Sequence, residues 1–316
     1  MTDMPLVPEG VFDPEPTEAN ANPAMPAVRS LGADAWDAMR RNPLFWLSAV
    51  LIVVFVLMAA FPGLFTSKDP TACDLNFARL EPSPQAWFGY DLQGCDVYAR
   101  TIYGARASIT VGVLTAVAAA LIGVALGTTG GYVGRWIDTV LSRVADVFFA
   151  IPLLLGGILI MFTFPNTVDT PYMTMITKVV LTLAILGWPN IFRLMRSSVM
   201  QVSPLEYVQA ARALGASPLR VVTSHVIPNS MVPVIVVSTI DLGAYIAAEA
   251  TLSFLGIGLQ WPAISWGQAI SSASGLGYIQ AAPHMLLFPS LFLSLTVLAF
   301  IMMGEVVREA MDPKLR

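Results

Sequence analysis

The chain is 316 residues long, 56% hydrophobic and only 12% charged, with a formal net charge of −4. Soluble domains hold about a quarter charged residues, so a water-soluble globular fold is excluded. Three lysines in the whole chain leave no dense basic face, which excludes nucleic acid as a partner.

A helix needs roughly 20 apolar residues to cross a bilayer. Six runs reach that range, at 44–65, 105–129, 137–164, 173–194, 229–253 and 285–307. Each is expected to be helical, because hydrocarbon offers the backbone no hydrogen-bond partner outside its own segment. The predicted fold class is an all-α polytopic membrane protein with six transmembrane helices.

Residues 1–43 are rich in Pro, Asp, Glu and Ala. That composition buries too little apolar surface to fold alone, so a largely disordered tail is predicted, with a short interfacial helix at 34–41 using Trp36 and Met39. The first span, 44–65, leads into a loop, 66–104, that holds both cysteines, Cys73 and Cys95. In the second span, small residues such as Gly123 and Gly127 let helices approach closely in lipid. Gly130-Gly131 is not a phosphate cradle, since no Gly-Lys-Ser/Thr follows. No such motif occurs in the chain, so the polypeptide is not expected to hydrolyse ATP or to bind a cofactor or metal.

The third span opens with Asp138, Arg143 and Asp146. Arg143 and Asp146, three apart on one helix, are expected to form an intrahelical ion pair, with a proton relay as the lesser alternative. Pro189 predicts a kink in the fourth span. Arg193 and Arg196 then hold its end at the membrane surface.

The stretch 203–229 is polar to mildly apolar and lies between two long hydrophobic runs. It carries two helix starts in tandem. Ser203, Pro204 and Glu206 read as a capping box, opening a helix over 204–214 that stops at Gly215, a left-handed terminator. Ser217-Pro218 repeats the signal, and Pro228 is expected to close the second helix. Tyr207, Ala210, Ala211 and Leu214 recur at helical spacing and share a face, on which small alanines admit another surface. Two readings of this elbow stand: a docking site, or an amphipathic helix lying on the bilayer.

The fifth span contains Asp241 and Glu249. Acids inside a membrane helix are costly and mark function by default. Eight residues apart, they differ by roughly 80° around the axis, so both are expected to border one cavity, and the pair, or Glu249 alone, to favour a passing cationic amine. A hydrogen bond to a neighbouring helix is the alternative. Segment 256–284 has no formal charge; Trp261 and Trp266 suit the outer interface, with the loop scooping back under protein cover. His284 stands alone, so no metal-ligand set is expected.

Basic residues set the orientation. Arg40, Arg41, Arg135, Arg193, Arg196, Arg212, Arg220, Arg308, Lys314 and Arg316 fall on one side; Lys68, Arg79, Arg100 and Arg106 fall on the other. Both termini, including the tail 308–316, and the elbow are predicted to be cytoplasmic. Loop 66–104 is then extracytoplasmic, where thiols tend to pair, so a Cys73–Cys95 disulfide is favoured over two buried thiols.

The run QAARALGASPLRVVTSHVIPN at 209–229 resembles the cytoplasmic coupling loop of ABC-importer permeases. That family's pattern is Glu-Ala-Ala, three residues, Gly, nine residues, Ile, any residue, Leu-Pro. Gln209 stands for the Glu, Ala210 and Ala211 for the alanines, and Gly215 for the Gly. His225 falls at Ile, Ile227 at Leu and Pro228 at Pro. In the dipeptide/oligopeptide branch (the C-type permease), the first-loop motif resembles Gly-Thr-Asp, two residues, Gly-Arg-Asp. Here it reads Gly89-Tyr90-Asp91-Leu92-Gln93-Gly94-Cys95-Asp96, with Cys95 in place of Arg. Glu249, Leu252, Ser253, Phe254, Leu255, Gly256 and Gly258, then Pro262, Ser265, Trp266 and Gly267, resemble a further segment of that branch. The matches run from about 88 to 316.

The resemblance implies the ABC type I importer permease fold in a bacterial inner membrane, with 105–307 as a core of five spans. It implies a heterodimer with a homologous permease, two cytoplasmic ATP-binding subunits that hold ATP and Mg, and an extracytoplasmic substrate-binding protein. Docking residues would be Glu206, Tyr207, Gln209, Ala210, Ala211, Leu214, Gly215 and Pro228. The implied cargo is di- or oligopeptides; nickel complexes, glutathione or another small peptide-like ligand are alternatives. A stand-alone secondary carrier fits less well, because no internal repeat is visible and a carrier has no use for the elbow. A membrane enzyme fits least, since no nucleophile–base set appears.

Overall fold

The computed structural model describes residues 31–167 and 169–311. Of the predicted tail 1–43, residues 1–30 lie outside the described residues, and so do 312–316 at the other end. Leu31–Arg41 form α1, which begins before the interfacial helix expected at 34–41. Trp36 of α1 meets Phe45 edge-on at 5.7 Å. Asn42 ends this arm and caps the next helix, α2 (Pro43–Ala60): its side chain accepts from the Leu44 N–H at 2.9 Å.

The long helices follow in order: α3 (Val97–Val133), α4 (Arg135–Phe149), α5 (Leu153–Thr163) and α6 (Tyr172–Val202). The elbow holds α7 (Glu206–Ala213) and α8 (Pro218–Val221), and α9 (Ile227–Phe254) leaves it. Two short helices, α10 (Trp266–Ala273) and α11 (Leu276–Ala281), precede α12 (His284–Met311). Among the described residues, five helical stretches are long and apolar enough to cross a membrane. Helices α4 and α5 together are also long and apolar enough for a span, or for a re-entrant loop, but meet at 83°. The third run of the sequence is therefore two helices, and Pro152, which brings no N–H to the break, cannot continue α4. Pro189 lies inside α6 without ending it.

The bundle is built around α6, whose most apolar window is the most buried of the five. Val111 of α3, Met175, Val179 and Leu183 of α6, and Leu252 of α9 share one cluster. Close approach of α3 to α6 needs a stripe of glycine. A Cβ at Gly123 would lie 2.6 Å from Ile191 Cβ; at Gly127, 2.8 Å from Met195 Cβ; at Gly131, 2.8 Å from the Arg196 carbonyl. Each is inside van der Waals contact, so these positions exclude any side chain while the helices keep this spacing.

At 37 residues, α3 is about 55 Å long, well beyond the roughly 30 Å hydrocarbon layer. Its first turns stand at the base of the loop that follows α2. There Asp96 caps α3: Oδ1 accepts from the Ala99 N–H at 3.0 Å and Oδ2 from Lys68 Nζ at 2.6 Å. Asp91 accepts from the Gln93 and Cys95 N–H groups and pairs with Arg100. Gly94, at φ +73°, sits where a Cβ would overlap the Asp74 carbonyl. A Cys73–Cys95 disulfide closes the loop, with Cα atoms 4.1 Å apart. The loop motif thus builds a covalently locked cap on α3.

The segment after α9 folds back into the bundle. Trp266 is fully buried, with its indole N–H donating to the Thr101 carbonyl at 2.8 Å. The expectation that Trp266 sits at the membrane interface is corrected: Gly104 of α3 leaves room for its ring, 3.2 Å from where a Cβ would stand. Trp261 remains half exposed. His284 is buried and bonds the Tyr90 carbonyl at 3.1 Å, tying α12 to the loop between α2 and α3.

Candidate functional site

The elbow differs from its sequence reading at its first turn. Helix α6 runs on to Val202, and the Ser203 N–H bonds the Val199 carbonyl at 2.9 Å. Ser203 is therefore the end of α6 and not a cap. The expected capping box does not form, because Leu205 takes the cap position and Glu206 becomes the first helical residue. Gly215 terminates α7 as expected, at φ +84°. The Ala216 N–H bonds the Ala211 carbonyl at 3.1 Å and the Gly215 N–H bonds Arg212 at 3.0 Å, the paired bonds of a Schellman ending. Ser217 caps α8 through the Arg220 N–H at 3.4 Å.

Pro228 does not close a helix. The chain stays helical from Pro218 to Phe254, because a π turn over Val222–Val226 absorbs the proline. A proline ring clashes with the carbonyl four residues back in a regular helix; the wider turn relieves that contact. Asn229 Nδ2 donates to the His225 carbonyl at 2.6 Å.

The elbow has an inner and an outer face. Val208 and Val221 are fully buried against Val199 and Val202 of α6 and Val226 and Val234 beyond the elbow. Gln209 donates to the Ser203 carbonyl at 3.0 Å, so the residue at the family's Glu position clips α7 to the end of α6. Tyr207 lies beside the His225 ring, and the Arg212 guanidinium sits 5.1 Å from the Tyr132 ring of α3. The outer face is apolar and open: Leu214 is 89% exposed, Leu219 73% and Tyr207 42%. Glu206 and Ala210 are exposed and Ala211 is half-buried. Val208, Arg212 and Leu219 were missed in the sequence; the apolar Val208, one residue past Tyr207, was the available signal.

Two acids were expected to share a cavity, and the structure separates them. Asp241 lines a cavity of about 430 Å3 between the α4–α5 break, α6 and α9, and accepts from Asn190 Nδ2 at 3.1 Å. Glu249 is fully buried and accepts from the Ser253 hydroxyl at 2.7 Å. Ser253 Oγ in turn accepts from the Leu259 N–H at 2.9 Å, while Ser108 and Ser265 flank the carboxyl. The correction has a helical cause: Glu249 turns to α3 and the folded-back segment, two turns along from Asp241. Its hydrogen bonds fasten that segment, and it is not among the residues lining the Asp241 cavity.

Arginines at the end of α6 pair across to α4. Arg196 holds Asp138 with two bonds, and Arg193 meets Asp146 at 2.8 Å. The Arg143–Asp146 pair expected within α4 is present but looser, at 3.6 Å.

Residues 119–316 match the family described as "Binding-protein-dependent transport system inner membrane component", and residues 30–82 match "N-terminal TM domain of oligopeptide transport permease C". The chain belongs to the binding-protein-dependent transport permeases. It is 37% identical, over 99% of its own length and 100% of the other, to "Oligopeptide transport system permease protein OppC" of Bacillus subtilis (strain 168). It is 35% identical to "Dipeptide transport system permease protein DppC" of Alkalihalophilus pseudofirmus, over 97% of each chain. The inward-facing MetNI methionine ABC transporter superposes with a TM-score of 0.50 at 18% identity, over 66% of this chain and 95% of that one, a likeness of fold. The protein is thus a multi-pass inner-membrane permease with the type I importer fold, a transport component and not a catalytic subunit.

Proposed function

We propose that this permease forms half of the translocation pathway of an ATP-driven importer of di- or oligopeptides, working as a heterodimer with a related permease. Two cytoplasmic ATP-binding subunits, which carry the ATP and Mg, seat on the elbows, and an extracytoplasmic binding protein delivers cargo at the disulfide-closed end. Both termini and the elbow face the cytoplasm. The carrying observation is the two-faced elbow: its inner side is bolted to α6 and α9, and its outer side exposes Tyr207, Leu214 and Leu219. An apolar surface of this kind at the wet end of a span fits a partner groove. Glu206, Tyr207, Gln209, Ala210, Ala211, Leu214, Gly215 and Pro228 form or shape that docking unit, and Asp241 is the pathway acid of this half.

The test joins Leu214→Cys to cysteines placed in the groove of the ATP-binding subunit, in the assembled complex. Crosslinks that change yield when ATP is added support the lever. Gly215→Val adds a second arm: nothing lies within 4 Å of a Cβ there, so only the left-handed backbone is penalised, by about 1–2 kcal/mol. Insertion should persist while ATP hydrolysis uncouples from uptake. Wild-type uptake by this variant refutes the lever.

A further inference from the structure

The cavity at the α4–α5 break is walled mostly by apolar side chains, with Asp241 as its one carboxylic acid among the described residues. Asp241 supplies a half-buried carboxylate, steadied by the Asn190 amide at 3.1 Å. Among the described residues, no Lys, Arg or His lines the space. The neighbouring cation, Arg193, is committed elsewhere: it bonds Asp146 at 2.8 Å and lies 3.9 Å from the Phe149 ring centre. Helix α4 ends and α5 begins at this cavity, with Phe148, Phe149 and Leu153 in its wall, so the two helix-end dipoles offset one another there. Pro152 and Pro189 also line it. Neither brings an N–H donor into the space. Phe149 and Tyr245 add ring faces, which attract cations. A carboxylate with no opposing cation in the lining, together with aromatic faces, favours a cationic guest, and about 430 Å3 is in the range of small-ligand pockets.

We infer that this cavity is a subsite for a primary ammonium group carried by the cargo, at a peptide N-terminus or on a lysine side chain, with the Asp241 carboxylate as its acceptor. The subsite rests on the peptide-import reading above and gives that pathway a charge preference of its own, separate from the binding protein's.

The complete importer with its binding protein, in proteoliposomes, is given Ala-Ala, N-acetyl-Ala-Ala and N-acetyl-Lys-Ala. Uptake by Asp241→Asn is divided by wild-type uptake for each peptide. The same binding protein feeds both, so its preference cancels in the ratio. A lost ammonium–carboxylate bond weakens binding by about tenfold or more. The ratio for Ala-Ala should therefore fall to about a tenth, that for N-acetyl-Ala-Ala should stay near one, and Asp241→Glu should restore Ala-Ala uptake. A fall for N-acetyl-Lys-Ala places side-chain ammonium in the subsite as well; no fall restricts it to the N-terminus. Equal ratios for Ala-Ala and N-acetyl-Ala-Ala overturn the subsite and leave the import reading standing. If wild type takes up none of the three, both fall. Should Asp241→Asn not assemble, Asn190→Ala, which frees the carboxylate to turn away, is read in the same ratios and judged by the same outcomes.

Discussion

Val208→Ala isolates the inner face of the elbow from its outer face. The Val208 side chain is fully buried among Val199, Val202, Val221 and Val226. Removing two methyl groups forfeits about 0.8 kcal/mol each in burial, and the cavity left behind brings the cost to about 2 kcal/mol. Other ties of α7 include one amide-to-carbonyl bond from Gln209, the Arg212–Tyr132 contact and the Tyr207–His225 ring contact. A loss of about 2 kcal/mol raises the undocked population about thirtyfold. Amide hydrogen exchange over 206–213, with the protein in nanodiscs, should quicken by that factor. Leu214→Ala, at a side chain 89% exposed, should leave exchange unchanged and weaken only capture of the ATP-binding subunit. Exchange in Val208→Ala within threefold of wild type (a margin of about 0.6 kcal/mol), or a matching rise in Leu214→Ala, would show that the two faces are not separate.

Gly127→Leu should block assembly of the α3–α6 pair, since even a Cβ there lies 2.8 Å from Met195 Cβ and the Phe192 carbonyl; overpacking costs about 1–3 kcal/mol or more, read as loss of monodisperse protein on extraction. Asp138→Arg should lower thermal stability, and the exchange Asp138→Arg with Arg196→Asp should recover most of it, because the pair is partly buried and doubly bonded; no recovery in the double variant would sink the pairing. Replacing Cys73 and Cys95 by serine opens a loop whose ends are 22 residues apart, worth roughly 3 kcal/mol in the chain-entropy model. Limited proteolysis between α2 and α3 should accelerate, while uptake at low temperature should persist.

Periodicity carried the spans well, because a bilayer demands long apolar runs whatever their neighbours are. It was blind to the α4–α5 break, since Ala150, Ile151 and Pro152 are apolar and leave the hydropathy run uninterrupted. Gly215 was legible through its left-handed backbone, which needs no tertiary partner. The capping box at Ser203 was not, because α6 extends past its apolar stretch and takes Ser203 into its own last turn. Pro228 misled for a related reason: its local rule is overridden by a π turn that only the continuous helix explains. Tertiary pairings were the least visible. Asp138 meets a residue 58 positions away and Asp241 one 51 away, and helical spacing alone offered Asp146 only its near neighbour Arg143. The same limit misplaced Glu249, whose three serine neighbours come from α3, α9 and the folded-back segment.

These long-range pairs have a common mechanical sense. Asn190, Arg193 and Arg196 step along the last turns of α6 at intervals of three, so they lie near one another on its surface. They reach Asp241 on α9, Asp146 on α4 and Asp138 on α4 respectively. The end of α6 is thus laced to both walls of the cavity, and it is the same end against which Val208 and Gln209 clip the elbow. Polar ties of this kind are directional and short, whereas apolar helix faces slide at little cost in lipid, where no hydrophobic difference opposes the movement. On the proposed lever, force applied to the elbow would reach α6, α4 and the Asp241 wall together, and the bend in that path is the 83° break between α4 and α5, where Pro152 brings no N–H of its own.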